Sequence, residues 1–135
     1  MLLPLPERTA RNLSLVNHLI FVVCKKNSGN AYHLREMIRL VYLTFYLQEA
    51  GYGNIDLLDY ARAEAALERC LTRAESEDAW QLDPNDNSLF EMILRQSDRQ
   101  IKMAPCHRIV EARERLARFA RSSRDSPLPK PATNI

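Results

Sequence analysis

Residues 31–50 read AYHLREMIRLVYLTFYLQEA, and whether this stretch is helix or strand decides the fold. Its second half holds Val41, Tyr42, Thr44 and Phe45, a composition that suits a buried strand. The apolar residues Leu34, Met37, Ile38, Val41 and Phe45 nevertheless recur at three- and four-residue steps, the signature of a helical face. That pattern runs from Asn30, a residue suited to cap a helix, to Gly51, suited to close one. It is far longer than a typical strand of about five or six residues. The stretch is therefore read as a helix, with Leu40, Tyr42, Leu43, Tyr46 and Leu47 on its remaining sides.

The same reasoning extends in both directions. Upstream, a helix is expected from Pro6, whose missing N–H costs nothing at a first helical position, to about Lys26. Its stripe is Leu13, Val16, Leu19, Ile20 and Val23, and Leu15, Phe21, Val22 and Cys24 lie outside the stripe. Its second half is thus apolar nearly all round, which implies either a central position or a second surface covered by another chain. Downstream, Asn54 is expected to cap a third helix with Tyr60, Ala63, Leu67, Cys70, Leu71 and Ala74 inward, followed by an acidic connector from about Glu75 to Asn87. A fourth helix begins at the Ser88-Leu89-Phe90-Glu91 capping box, or one turn earlier with Asp83 capping Pro84, and directs Phe90, Ile93, Leu94, Ser97 and Ile101 inward. Pro105 opens a fifth, whose face is Ile109, Ala112, Leu116, Phe119 and Ala120. The expected fold is all-α: an antiparallel bundle of about five helices over residues 1–121, with a flexible proline-rich tail over 122–135. Three glycines in 135 residues count against hairpin-rich β folds and glycine phosphate loops.

Charge is sorted along the chain. Residues 1–47 carry 6 Lys/Arg against 2 Asp/Glu, residues 48–91 carry 3 against 11, and residues 92–135 carry 10 against 4. Such segregation concerns partners and association, either with other molecules or between helices of the same bundle. Cys24, Cys70 and Cys106 are odd in number and widely spaced, which suits reduced thiols in a cytoplasmic protein better than a disulfide framework. The first residues have no basic region ahead of an apolar run, and no apolar run approaches the roughly 20 residues of a membrane span.

Motifs for chemistry fail on spacing. Asp83, Asn85 and Asn87 match the start of a calcium loop, but Ser88 replaces its glycine and Leu94 its bidentate acid. A di-iron site needs Glu-x-x-His, and the chain offers the reverse, His33-x-x-Glu36, beside the pair Glu64 and Glu68. Cys106 and His107 are adjacent, so on a helix they diverge by about 100°. Gly51-Tyr52-Gly53 lacks the strand and third glycine of a dinucleotide site. No catalytic residue, metal or other cofactor is expected.

The segments His33-Leu34-Arg35-Glu36-Met37 through Tyr42, Leu47-Gln48-Glu49-Ala50-Gly51-Tyr52-Gly53, and Asp98-Arg99-Gln100 with the basic helix after it resemble short proteobacterial helical proteins grouped with the Fis-family transcriptional regulators. The resemblance implies a small bacterial regulator. Fis proteins end in a helix-turn-helix, and none can be matched onto residues 95–121.

The expected function is that of a small, non-enzymatic regulatory or adaptor protein that binds another macromolecule and self-associates as a homodimer. Phe21, Val22, Tyr42 and Tyr46 are the expected anchors of that contact. The alternative is a DNA-binding transcriptional regulator that uses Arg108, Arg113, Arg115, Arg118 and Arg121, with Glu111–Arg115 and Glu114–Arg118 pairs expected to damp their field.

Overall fold

The computed structural model describes residues 3–129. Five helices run in chain order: α1 (Glu7–Cys24), α2 (Ala31–Glu49), α3 (Leu57–Glu77), α4 (Asn87–Met103) and α5 (Cys106–Ala120), with a 3-10 turn, Pro84–Asp86, ahead of α4. Among the described residues there is no strand, only an isolated bridge between Pro4 and Pro105. The decisive stretch is a helix and the hub of the bundle, because α2 packs against each of the other four helices. Its buried residues cover most of its circumference: Leu34, Met37, Leu40, Val41, Tyr42, Thr44, Phe45, Tyr46 and Leu47. Asn30 caps it, its Oδ1 accepting from the Tyr32 N–H at 2.9 Å, while His33 Nδ1 accepts from the Asn30 N–H at 3.1 Å.

Three boundaries differ from expectation. Pro6 is the N-cap of α1 and Glu7 its first residue. Asn54 does not cap α3, which starts at Leu57 behind Asp56; the Asn54 N–H is instead donated to Gln96 Oε1 at 3.0 Å. Helix α4 follows the earlier of the two starts: Asp83 Oδ1 accepts from the Asn85 N–H at 2.9 Å and caps the 3-10 turn, so Ser88 lies inside the helix and forms no capping box.

The orientation of α1 also differs. Ala10, Phe21 and Cys24 are its buried residues, so the packed face is turned by about a quarter turn from the expected stripe. The Phe21 ring tilts against Phe90 at 6.2 Å between centroids. With apolar side chains nearly all round, periodicity carried no contrast to set the phase, and the bulk of Phe21 set it.

A network of glutamine side chains fixes the α2–α3 loop against α4. Gln48 Oε1 accepts from the Ile55 N–H (2.8 Å), the Tyr60 hydroxyl (2.7 Å) and Gln96 Nε2 (3.0 Å). Gln48 Nε2 donates to the Ile55 carbonyl at 2.7 Å, and Gln100 Nε2 donates to the carbonyls of Thr44 and Tyr52, each at 3.0 Å. Tyr60, Gln96 and Gln100 are buried, so these bonds satisfy groups that are costly to leave unpaired. A Cβ on Gly53 would lie 2.4 Å from the Gln96 amide, and Gly51 has φ +103°. Both glycines of the Gly51-Tyr52-Gly53 segment are required by this loop.

Residues 122–129 contain no regular helix, in keeping with Pro127 and Pro129, but they are fastened to the bundle. Ser126 Oγ donates to Glu64 Oε2, which also accepts from the Tyr42 hydroxyl. The Leu128 N–H is donated back to Ser126 Oγ, and the Leu128 side chain joins the core. The remainder of the expected tail, residues 130–135, lies outside the described residues.

Candidate interaction surfaces

The surface that stands out is the outer side of α1. Leu15, Val16, Leu19 and Val22 are 56, 51, 54 and 39% exposed, and their spacing places them on one side of the helix over two turns. Single exposed aliphatics are ordinary, but a contiguous row on one helix is characteristic of a contact surface. The row exists because α1 is packed on α2 and α4 through the opposite side.

Three of the four expected anchors are not available to a partner. Phe21, Tyr42 and Tyr46 are 3, 7 and 5% exposed and are consumed by the chain's own core. Phe21 meets Phe90, Tyr42 meets Phe119 edge-on at 5.7 Å, and Tyr46 lies beside Phe45. Val22 alone remains on the surface, as one member of the α1 row. The expectation placed surplus apolar surface on both α1 and α2; α1 leaves a row exposed, whereas α2 spends its aromatic residues in the core, because their size draws them inward.

The five expected arginines are all exposed on α5, and the structure divides them. Arg108 pairs with Glu111 at 3.1 Å, and Arg115 pairs with Glu49 of α2 at 3.0 Å while its guanidinium lies 4.3 Å from the Tyr46 ring centroid. The expected Glu111–Arg115 and Glu114–Arg118 pairs do not form, because Arg115 reaches across to α2 and Arg108 takes Glu111. Arg113, Arg118 and Arg121 have no carboxylate within salt-bridge distance among the described residues. The Arg115–Glu49 bridge is the point at which the basic C-terminal block meets the acidic block.

Titratable groups in the interior are held in their neutral forms. Burial, reinforced by the neighbouring Cys70, pushes the Cys24 thiol up to about 12. Burial also raises Cys70, although Arg73 opposes it. The Tyr42 hydroxyl is raised by burial and by its bond to Glu64, and Tyr60 by burial. A thiol so protonated is a poor nucleophile. Among the described residues, no group of three or more His, Cys, Asp or Glu stands together in a way that could hold a metal ion. His18 Nε2 and Asp98 Oδ2 lie 2.7 Å apart between α1 and α4. No helix among these residues is long and apolar enough to cross a membrane.

The residues that sequence reasoning passed over are Gln48, Gln96 and Gln100. Their periodic positions were visible, but a glutamine at an inward position reads as surface until its partner loop is known. Gln48 lies in the segment Leu47–Gly53 and Gln100 in Asp98-Arg99-Gln100, and both hold the α2–α3 loop. No protein-family model, curated protein or solved structure matches the chain.

Proposed function

We propose that the chain is a non-enzymatic regulatory or adaptor protein that acts by macromolecular binding and self-associates through the outer face of α1. The observation that supports this reading is the row Leu15, Val16, Leu19 and Val22, which among the described residues stays 39 to 56% exposed. A two-fold contact sets the row against its own copy. Each half-exposed aliphatic contributes about 1 kcal/mol on burial, so eight of them give on the order of 8 kcal/mol. Association costs at least about 4 kcal/mol of this, which leaves a weak dimer of about millimolar affinity, expected towards the top of the concentration range. Sedimentation from about 10 μM to 1 mM tests it. The expected result is a dimer that Leu19→Glu returns to monomer with helicity intact, and a monomer at every concentration overturns the reading.

A second reading, a DNA-binding regulator, is supported by Arg113, Arg118 and Arg121, which have no acid within salt-bridge distance among the described residues. Phosphate contacts strengthen as salt falls. Retention of a labelled duplex that rises at low salt and drops in Arg118→Gln supports it, and no retention at low salt removes it.

A further inference from the structure

A second surface, away from α1, lies between α2 and α3. It is a groove of about 250 Å³ with an aliphatic floor from Leu34, Ile38, Leu67 and Leu71. Glu64 and Glu68, one turn apart on α3, form one wall, and Arg35 stands on the other. At the Tyr42 end the chain already seats a segment of its own: Ser126 donates to Glu64, and Leu128 is buried between Pro127 and Pro129. Proline on either side holds that segment extended. At the groove's mouth the Glu64 carboxylate thus holds the hydroxyl of a short segment that carries prolines and a buried leucine just beyond it.

Beyond the mouth, Glu68 has no cation within salt-bridge distance among the described residues, and Leu71 is exposed. Along α2 the groove runs from Tyr42 to Ala31, about 16 Å at the rise of a helix. A polyproline-type segment advances about 3.1 Å per residue with three residues per turn, so five or six residues span this length. Two of its side chains, about 9 Å apart, then face the floor.

We propose that this groove docks an extended, proline-containing segment of a partner protein, with aliphatic residues at every third position and a Lys or Arg that meets Glu68. Charge complementarity selects this occupant: α3 belongs to the acidic block, and Glu68 on its wall has no cation partner among the described residues. A second copy is the competing occupant.

The probe is a fluorescein-labelled peptide of three leucine-proline-lysine triplets, titrated with the full chain and followed by anisotropy. Saturable binding is expected, weakened about tenfold or more by Glu68→Lys and by Leu71→Asn, and unchanged by Leu19→Glu, which separates this site from the α1 face. Glu68→Lys alters an exposed side chain, so a folded protein is expected, and circular dichroism checks this. Three results overturn the proposal: no saturation up to about 1 mM, binding undiminished in both variants, or equal binding of a peptide whose lysines are replaced by glutamate. If Glu68→Lys abolishes self-association while the peptide does not bind, the occupant is a second copy and the proposal fails.

Discussion

Helices α1 and α2 have similar sequences in one respect: both are apolar nearly all round over much of their length. Their fates differ. Helix α2 is buried over most of its circumference because four helices pack against it, with Arg35 and Arg39 left exposed, whereas α1 is packed on one side and leaves Leu15, Val16, Leu19 and Val22 in solvent. All-round apolarity therefore does not by itself specify a central position. It specifies that every side is to be covered, and among the described residues the outer side of α1 stays 39 to 56% exposed.

The comparison is broken most directly at the hub. Phe45 of α2 is 2% exposed and lies edge-on to Tyr60 at 5.5 Å. Phe45→Ala removes a buried ring that no other helix can replace, and a loss of about 3–5 kcal/mol in urea unfolding is expected. A loss below about 1 kcal/mol would mean that the site collapses readily and that α2 is not the hub.

That α2 is a helix, and that about five helices form, was legible because cap, period and stop agreed: Asn30, the 34-37-38-41-45 spacing and Gly51. The phase of α1 was not, since periodicity reports a packed face only where the other face is polar. The start of α3 was misplaced for a different reason. Asn54 has the side chain of a cap, but its backbone is claimed by Gln96, 42 residues later in the chain, and local signals do not report such long-range bonds. Exposed apolar surface on α1 was legible, the surplus expected of α2 was not there, and the choice of aromatic anchors failed because large rings fill the interior first.

The next effect in size concerns the glutamine clamp that positions the α2–α3 loop. Gln96→Leu keeps the volume but leaves the Asn54 N–H and the Gln48 and Tyr60 oxygens with fewer partners. A loss of about 2 kcal/mol is expected. Hydrogen exchange at Asn54 and Ile55 should accelerate, with α1 amides unaffected. A neutral substitution would show that the loop is held by Ile55 packing alone.

A smaller, graded effect is expected in alkali. Cys24, Tyr42 and Tyr60 all keep their protons to higher pH in the folded chain than in the unfolded one, whose ordinary values are 9.0 for the thiol and 10.0 for the phenols. Between the unfolded and folded values the native state binds more protons, so stability falls as pH rises. It is full below pH 9 and declines from there, for the thiol up to about 12. Urea midpoints between pH 8 and 11 measure this, and Tyr60→Phe should flatten part of the slope. A midpoint that does not move would place these groups in contact with water.

The smallest expected change is on the outer face of α1. Leu19 is more than half exposed, and α1 makes its packing contacts from the opposite side, so Leu19→Glu should alter the stability of the monomer by no more than about 0.5 kcal/mol. Its effect on association is of another kind. A protein that dimerises through folded surface has a melting temperature that rises with concentration, because the second copy binds only the native state. The unaltered chain should show that rise and Leu19→Glu should not, and the two should converge on dilution. If Leu19→Glu instead costs as much as Phe45→Ala at low concentration, the outer side of α1 is packed within the monomer. The difference between the two helices then disappears, and with it the argument that α1 needs a partner.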